Sequence, residues 1–336
     1  MMLAAKRTAP GRAETIDVPV PEPGPGEVLV RVRACAICAS DLLGWNEPEV
    51  GPGSPGEWHS DNPGLTGHEV AGDIVTAGPG VDSSRVGEAV WIDPIAGCGA
   101  CDACADGRQT FCRRVSILCQ GFAEYVAAPA RQCRPVPPGF DYVTASMIAD
   151  MAGTPMGAVK RAGVQPGEVV AVWGLGPVGL GLVQASVIAR ASLVVGIDGV
   201  ASRRDRASQF GAVAVDPSDG VEQLLELTRG RGPDVALNTV AAPSAAQAAF
   251  ETLRDDGRMV TVAGFPPAGG EVRKWVSGTW GCDERHWPEV VDHLVSRRFL
   301  LDGYVTHEFP LAEVERAFGI RQRDLEGSFK VVVTTG

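Results

Sequence analysis

The sequence lacks an excess of positive charge, because 30 lysines and arginines face 41 aspartates and glutamates, for a formal net charge of −11. Nucleic-acid binding depends on basic side chains that neutralise phosphates, so this balance argues against a nucleic acid as partner. An apolar signal-peptide core is missing from the first ten residues, and we therefore expect a cytoplasmic protein. Repeats and low-complexity segments are also absent, and the length of 336 residues predicts about two domains.

Long hydrophobic runs are scarce, and the one uncharged stretch covers residues 169–189. Gly174, Gly176, Pro177 and Gly179 interrupt it, and its first five residues favour a β-strand. We interpret it as a buried strand, a tight turn and a buried helix rather than a membrane span. The sequence thus predicts a protein without a membrane partner.

The organisation of the chain changes near residue 146. Before it, short apolar runs are separated by clusters of the chain's 42 glycines and 25 prolines, which is typical of a β-barrel or an irregular β-domain. After it, strand and helix patterns alternate, which predicts a doubly wound parallel sheet. The strand candidates of this second part are residues 169–173, 193–197, 213–215, 235–237 and 259–263.

A glycine-rich turn follows the first of these strands and opens a helix, with the sequence Gly174-Leu-Gly-Pro-Val-Gly179. In a dinucleotide site the first glycine allows the turn, the second lets the backbone approach a pyrophosphate, and the third allows close helix packing. The pyrophosphate lies on the helix N-terminus. We therefore predict coenzyme contacts at Gly174, Gly176, Pro177, Val178 and Gly179. A glycine turn that binds something else, or nothing, is the alternative.

Asp198 ends the second strand of this region, where a carboxylate binds ribose hydroxyls and repels a 2′-phosphate. This favours NAD(H). Arg203 and Arg204 follow closely and could instead bind a 2′-phosphate, so NADP(H) stays open.

Four of the nine cysteines lie close together at positions 98, 101, 104 and 112. Without a secretory leader, such cysteines indicate metal binding or free thiols rather than disulfides. Thiolates from Cys98, Cys101, Cys104 and Cys112 can close a tetrahedral shell around Zn²⁺ at about 2.3 Å, which leaves no open position and makes the zinc structural. Four free thiols and an iron–sulfur cluster are the alternatives.

A second set of metal-ligating residue types is spread along the chain, at Cys38, His68 and Asp150. A thiolate, an imidazole and a carboxylate suit a catalytic zinc with an open position. The spacing of these residues in the sequence does not show whether they meet in the folded chain. On spacing alone, a buried cysteine and a hydrogen-bonded histidine are the simpler interpretation.

These motifs resemble, in order and along essentially the whole chain, the zinc-dependent medium-chain dehydrogenase/reductase family, in its alcohol, sorbitol and threonine dehydrogenase group. The resemblance also includes Pro23-Gly-Pro-Gly-Glu-Val28 and Gly327-Ser-Phe-Lys-Val-Val332. It implies an α/β protein with a GroES-like, β-rich catalytic zinc domain formed by residues 1–149 and 286–336. A Rossmann domain with a doubly wound parallel sheet then covers residues 150–285.

The resemblance implies two zinc ions per chain and hydride transfer between NAD(H) and an alcohol or ketone, with zinc acting on the substrate oxygen as a Lewis acid. It places the catalytic zinc on Cys38 and His68. The third ligand falls on Asp150, while Glu69 matches an acid that members use as a ligand or move in during turnover. The resemblance does not decide whether Asp150 or Glu69 is the resting third ligand. It also implies that Thr154 binds the coenzyme.

The resemblance implies that Ser40 accepts the proton of the alcohol, since its hydroxyl can both accept and donate a proton. Many members carry a histidine five residues after the zinc cysteine, and here that residue is Leu43. His59 could replace it, although a surface histidine is an equal interpretation, and water reached through the ribose is another route.

The loop from Trp45 to Pro63 is expected beside the zinc cleft, and its aromatic and polar character favours a polyol, sugar or cyclitol as substrate. An NADP(H)-linked aldehyde or ketone reductase of the same fold is one alternative. A zinc-binding regulatory protein without activity is a second. The family also implies a homodimer or a homotetramer.

Overall fold

The computed structural model describes residues 1–46, 67–118, 120–263 and 274–336. Two compact units divide the chain: Met1–Ala149 with Leu301–Gly336, and Asp150–Leu300. Each helix within the described ranges is too short or too polar to cross a lipid bilayer.

The strands, in chain order, are β1 (Met2–Ala9), β2 (Arg12–Val18), β3 (Glu27–Ala36), β4 (Glu69–Ala77), β5 (Ala89–Ile92), β6 (Ile95–Ala96), β7 (Ser116–Ile117), β8 (Tyr125–Pro129), β9 (Cys133–Pro135), β10 (Val169–Trp173), β11 (Leu193–Ile197), β12 (Val213–Val215), β13 (Val235–Asn238), β14 (Arg258–Thr261), β15 (Trp275–Gly278), β16 (Val305–Pro310) and β17 (Lys330–Thr334). The α-helices are α1 (Ala39–Asn46), α2 (Asp102–Ala105), α3 (Tyr142–Ser146), α4 (Thr154–Ala162), α5 (Pro177–Ile188), α6 (Ala201–Gln209), α7 (Gly220–Leu227), α8 (Pro243–Thr252), α9 (Trp287–Val295) and α10 (Val314–Arg323). A π-helix covers Ile148–Gly153, and 3₁₀ turns cover Ser83–Arg85, Gln109–Phe111, Ala130–Gln132, Glu284–His286 and Leu311–Glu313.

The first unit is built on a seven-stranded sheet in the order β16-β17-β3-β4-β5-β9, with β8 also paired to β3. Strand β3 is central because its valines and alanines are buried on both faces. Strand β17, from the end of the chain, pairs antiparallel with β3. The end of the chain therefore completes the sheet that its first third begins.

Trp45 lies in the hydrophobic core of this unit, with 1% of its surface exposed. Its ring packs against Phe318 of α10 at 4.8 Å between centroids, and its indole nitrogen donates to Gln322 at 3.1 Å. The expectation that Trp45 belongs to a substrate loop was wrong, because Trp45 sits on the face of α1 that packs toward α10. The rest of that loop, residues 47–63, lies outside the described residues.

The second unit contains a six-stranded sheet in the order β12-β11-β10-β13-β14-β15, in which every neighbouring pair is parallel. The chain runs outward from β10 in one direction and then returns to β13 on its other side. Ligands of open parallel sheets bind at this switch point, outside the carboxyl ends of the strands. The turn at Gly174 directly follows β10 and therefore lies there.

The second division between the units falls after Leu300 instead of at residue 286. The physical reason is packing of α9 and the chain after it within the second unit. A Cβ placed on Gly153 would lie 2.3 Å from the ring of Trp287. Gln184 exchanges two hydrogen bonds with the backbone of Leu300, at 2.8 and 2.9 Å.

Candidate metal centres and coenzyme turn

Strand register brings Cys38 and His68 together. The end of β3 pairs with the start of β4, so that Ala36 lies opposite Glu69. Cys38 follows the end of β3 and His68 precedes β4, and both side chains therefore emerge at the same edge of the sheet. Donor atoms of Cys38, His68 and Glu69 lie within 4.8 Å of one another. We call these three residues the Cys38–His68 centre.

Asp41 supports this centre from the first turn of α1, and 3% of its surface is exposed. Its carboxylate accepts the backbone N–H of Cys38 at 2.8 Å and that of Gly67 at 3.2 Å. It also lies 3.7 Å from Nδ1 of His68, and a carboxylate beside a metal-binding imidazole orients its ring. Asp41 was not among the predicted site residues, although its carboxylate three positions after Cys38 was a usable signal.

Gly67 allows the sharp approach of the chain to His68. Its φ of +70° lies in the left-handed region, and a Cβ there would be 2.7 Å from the ring of Phe122. Any other residue would meet both backbone strain and a steric clash. The position of the imidazole thus depends on a glycine.

Glu69 is paired with Lys330 of β17 in a fully buried ion pair, with exposures of 0% and 1%. The ammonium of Lys330 donates directly to Glu69 Oε1. A charge without a partner is costly in such surroundings, so each residue requires the other. Lys330 was also not among the predicted site residues. It comes near Glu69 only because β17 and β4 both pair with β3.

Asp150 is the first residue of the second unit and lies in the π-helix Ile148–Gly153. Single-turn π-helices within helical segments are frequent at functional sites, because they redirect a side chain. The hydroxyl of Thr154 donates to Asp150 Oδ1 at 2.7 Å, and Thr154 is buried. The side chain of Thr154 therefore orients Asp150, one helical turn earlier.

Ser40 lies on the exposed side of α1, two residues beyond Cys38. Leu43 is 55% exposed on the same helix and carries no proton-accepting group. His59, the suggested substitute, lies outside the described residues.

The four predicted cysteines converge in a lobe between β6 and β7, which we call the four-cysteine lobe (residues 95–117). Their sulfur atoms all lie within 4.8 Å of one another, with Cys101 at 3.6 Å from Cys104 and 3.8 Å from Cys112. A tetrahedron with Zn–S distances of 2.3 Å has edges of about 3.8 Å. A disulfide would need about 2.05 Å. The donor set and its spacing therefore fit zinc.

The surroundings of these thiols shift their pKa values in opposite directions. A backbone hydrogen bond from Ala100, helped by Arg114, lowers the pKa of the Cys98 thiol to about 6. Burial raises the pKa of Cys104 to about 11. Backbone N–H groups of Cys98 and Arg114 donate to the sulfur of Cys112, at 3.3 and 3.4 Å. Such hydrogen bonds stabilise thiolates, which are the form that binds metal.

The glycine turn after β10, for which we predict coenzyme contacts, has backbone geometry that requires glycine at two of its positions. Gly174 has a φ of +86°, and a Cβ on Gly179 would lie 1.9 Å from the carbonyl oxygen of Gly174. Within the described parts of the chain, a Cβ on Gly176 would meet no atom within 4 Å. Pro177 and Val178 begin α5, whose first N–H groups point toward this space.

Asp198 lies directly after β11 and reaches back to the turn. Its Oδ2 accepts the N–H of Leu175 at 2.7 Å, and its Oδ1 accepts that of Val200 at 2.8 Å. A carboxylate has about four acceptor positions, and these two hydrogen bonds use two of them. Arg203 lies 3.7 Å from the same carboxylate.

Comparison with known proteins links both units to dehydrogenases. The family model of the alcohol dehydrogenase GroES-like domain matches residues 24–138, and that of zinc-binding dehydrogenases matches residues 177–296. Sorbitol dehydrogenase of Bacillus subtilis is 32% identical over 263 residues, which cover 76% of this chain and 72% of that protein. L-threonine 3-dehydrogenase of Pyrococcus horikoshii is 31% identical, with 97% of each chain covered. The crystal structure of 2R,3R-butanediol dehydrogenase from B. subtilis superposes with a TM-score of 0.85 at 25% identity, covering all of both chains.

Proposed function

Since this chain belongs to the zinc-dependent medium-chain dehydrogenase/reductase family, we propose that it transfers a hydride between NAD(H) and a secondary alcohol or its ketone. The two family-model matches confirm the family and the α/β fold class that the sequence predicted. The family consists of oxidoreductases that act on CH–OH groups of small molecules, with zinc and a nicotinamide coenzyme. The substrate class and the coenzyme type are the parts that we propose.

The proposed substrate is a polyol, sugar or cyclitol. The three relatives are named for sorbitol, L-threonine and butanediol. These molecules share a secondary alcohol whose neighbouring carbon carries oxygen or nitrogen. We therefore expect the oxidised carbon of the substrate to have a polar substituent on the next carbon.

The donor chemistry of Cys38, His68 and Asp150 fits a catalytic zinc ion, and we propose these three as its ligands. When bound, zinc would polarise the substrate oxygen and lower the pKa of the alcohol. Glu69 is already engaged by Lys330 in a buried ion pair, which favours Asp150 as the third ligand. Thr154 orients that carboxylate by its hydrogen bond.

We propose that Ser40 accepts the proton of the alcohol. Ser40 is exposed two residues beyond Cys38, and a hydroxyl can pass a proton onward because it both accepts and donates. Leu43 cannot continue the relay, so the proton would leave Ser40 for solvent through the coenzyme ribose or through His59.

The coenzyme would lie on the turn at Gly174 and the first turn of α5, with its ribose on Asp198. The carboxylate disfavours a 2′-phosphate by charge repulsion, which supports NAD(H). One observation favours the second candidate, an NADP(H)-linked reductase: Arg203 lies within 3.7 Å of Asp198 and carries the charge that such a phosphate requires.

We propose that the four-cysteine lobe binds a second, structural zinc ion. The observation that carries it is the fit of four sulfur atoms to a tetrahedral shell. Four protein ligands leave no position for substrate, so this metal would stabilise the lobe and take no part in hydride transfer.

The test combines metal analysis with a substrate screen. The purified chain should contain two zinc ions and should reduce NAD⁺ with sorbitol or 2,3-butanediol faster than with 2-butanol, which lacks the neighbouring hydroxyl. Absorbance at 340 nm measures this rate. Reduction of NAD⁺ by none of the secondary alcohols, and no oxidation of NADH by their ketones, would contradict the proposed activity. One metal per chain with no NADH binding would favour the non-catalytic alternative.

The expected assembly follows from the family alone. A homodimer or homotetramer in the cytoplasm remains our prediction, and sedimentation of the full chain tests the first part.

A further inference from the structure

We propose that Asp216 sets coenzyme choice together with Asp198, by holding the guanidinium of Arg204 in an ion pair that keeps it from serving a coenzyme phosphate. The inference rests on the proposed NAD(H) function. It concerns a positioning residue, because Asp216 would act through Arg204 and not by touching the coenzyme.

The sheet places the two acids side by side. Strands β11 and β12 are parallel neighbours, and Ile197 pairs with Val215 at their carboxyl ends. Asp198 and Asp216 are the next residues on the two strands, and the N–H of Asp198 donates to the carbonyl of Val215 at 3.3 Å. Both carboxylates therefore lie at the edge where parallel sheets bind nucleotides.

Arg204 of α6 joins the two strand ends. Its NH1 group donates to the carbonyl oxygen of Asp198 at 2.7 Å and to Oδ2 of Asp216 at 2.8 Å. The Arg204 side chain is 23% exposed, and that of Asp216 is 40% exposed. One guanidinium is thus directed toward β12 by a carboxylate that solvent can still reach.

Asp216 is itself fixed and charged. Its Oδ1 accepts the N–H of Ser218 at 3.1 Å, and this bond and Arg204 hold the pKa of Asp216 below its usual range. The acid therefore stays ionised at neutral pH and keeps its attraction for Arg204.

The two arginines at the start of α6 are in this way matched to two acids, Arg203 to Asp198 and Arg204 to Asp216. A 2′-phosphate would have to compete with both carboxylates for positive charge. Removing Asp198 alone removes the direct repulsion but leaves Arg204 in its ion pair. Full acceptance of a 2′-phosphate should therefore need changes at both acids.

The experiment measures nucleotide binding without turnover. Calorimetry compares 2′,5′-ADP with 5′-AMP, which differ in the 2′-phosphate, on the full zinc-loaded chain. We expect Asp216→Asn to raise affinity for 2′,5′-ADP about threefold, as befits a partly exposed ion pair, with 5′-AMP unchanged. In the Asp198→Ala background, Asp216→Asn should raise the affinity for 2′,5′-ADP about tenfold relative to Asp198→Ala alone, because Arg204 can then contact the phosphate.

Arg204→Gln in the Asp216→Asn background should remove the gain. Asp205→Asn is the matched control, since it deletes an exposed acid next to Arg204 on the same helix and should leave both affinities unchanged. Equal binding of 2′,5′-ADP by the variants with and without Arg204, or an equal gain in Asp205→Asn, would overturn the inference. A wild-type chain that prefers 2′,5′-ADP, or that binds neither nucleotide, would overturn the proposed NAD(H) function and this inference with it.

Discussion

The four-cysteine lobe and the Cys38–His68 centre lie in the same unit, yet their ligands are assembled differently. All four donors of the lobe come from fifteen consecutive residues, 98–112. Cys38 and His68 are separated by a long segment and meet only because β3 and β4 pair with Ala36 opposite Glu69. The lobe is thus a local cluster of ligands for which we propose a metal, whereas the centre depends on the pairing of strands in the sheet.

This difference predicts that losing a ligand has different effects at the two places. Losing a ligand of the lobe should first cost stability, because short strands and a four-residue helix provide little packing there. Losing a ligand of the centre should first cost activity, because the sheet that holds it remains. The following substitutions test that contrast, in order of decreasing expected effect.

Cys101→Ser should release one zinc ion and lower the free energy of unfolding by on the order of 5 kcal/mol, since structural zinc contributes directly to folding. Urea unfolding and metal analysis measure both quantities. Cys133→Ala is the control, because this buried cysteine belongs to β9 and contacts no proposed metal. A Cys101→Ser chain that keeps two zinc ions would show that three thiolates suffice.

Cys38→Ser should also release one zinc ion but should lower kcat/KM about a thousandfold, equivalent to ~4 kcal/mol of transition-state stabilisation. The unfolding midpoint should change little, since β3 and β4 stay paired. Full activity in this variant would refute a catalytic metal at Cys38. An equal loss of stability in Cys38→Ser and Cys101→Ser would refute the contrast itself.

Lys330→Met removes the ammonium that is paired with the buried Glu69, which should destabilise the first unit by about 3 kcal/mol. The double variant Lys330→Met/Glu69→Leu should regain most of that stability, because it removes the buried carboxylate charge as well. Urea unfolding distinguishes the two outcomes. If the double variant is no more stable than Lys330→Met, Glu69 contributes by something other than its ion pair.

Asp41→Asn keeps the shape of the side chain but removes the charge beside His68. Zinc affinity of the Cys38–His68 centre should fall roughly 10- to 100-fold, as for other carboxylates that support a metal-bound histidine. A chelator competition measures this affinity. Asp73→Asn is the control, because Asp73 lies in β4 but contacts Arg33 and Tyr142 instead. Unchanged affinity would mean that Asp41 acts only on the backbone.

Sequence patterns predicted the second unit more accurately than the first. The predicted strands 169–173, 193–197 and 213–215 coincide with β10, β11 and β12, and the predictions 235–237 and 259–263 differ from β13 and β14 by one or two residues at an end. Buried parallel strands are continuous apolar runs with clear ends, so their limits are visible in the sequence. In the first unit, Trp45 was misplaced because helix α1 is short and its buried face depends on α10, far along the chain.

The sequence by itself determined the features whose parts are neighbours in the chain. These are the glycine turn after β10, the four-cysteine spacing and the alternation of strand and helix, since each depends on local backbone geometry or on ligands within a few residues. Tertiary structure alone decided which distant groups meet. It paired Glu69 with Lys330, set Asp41 beside His68 and aligned Asp216 with Asp198, because strand register joins residues that no local pattern connects.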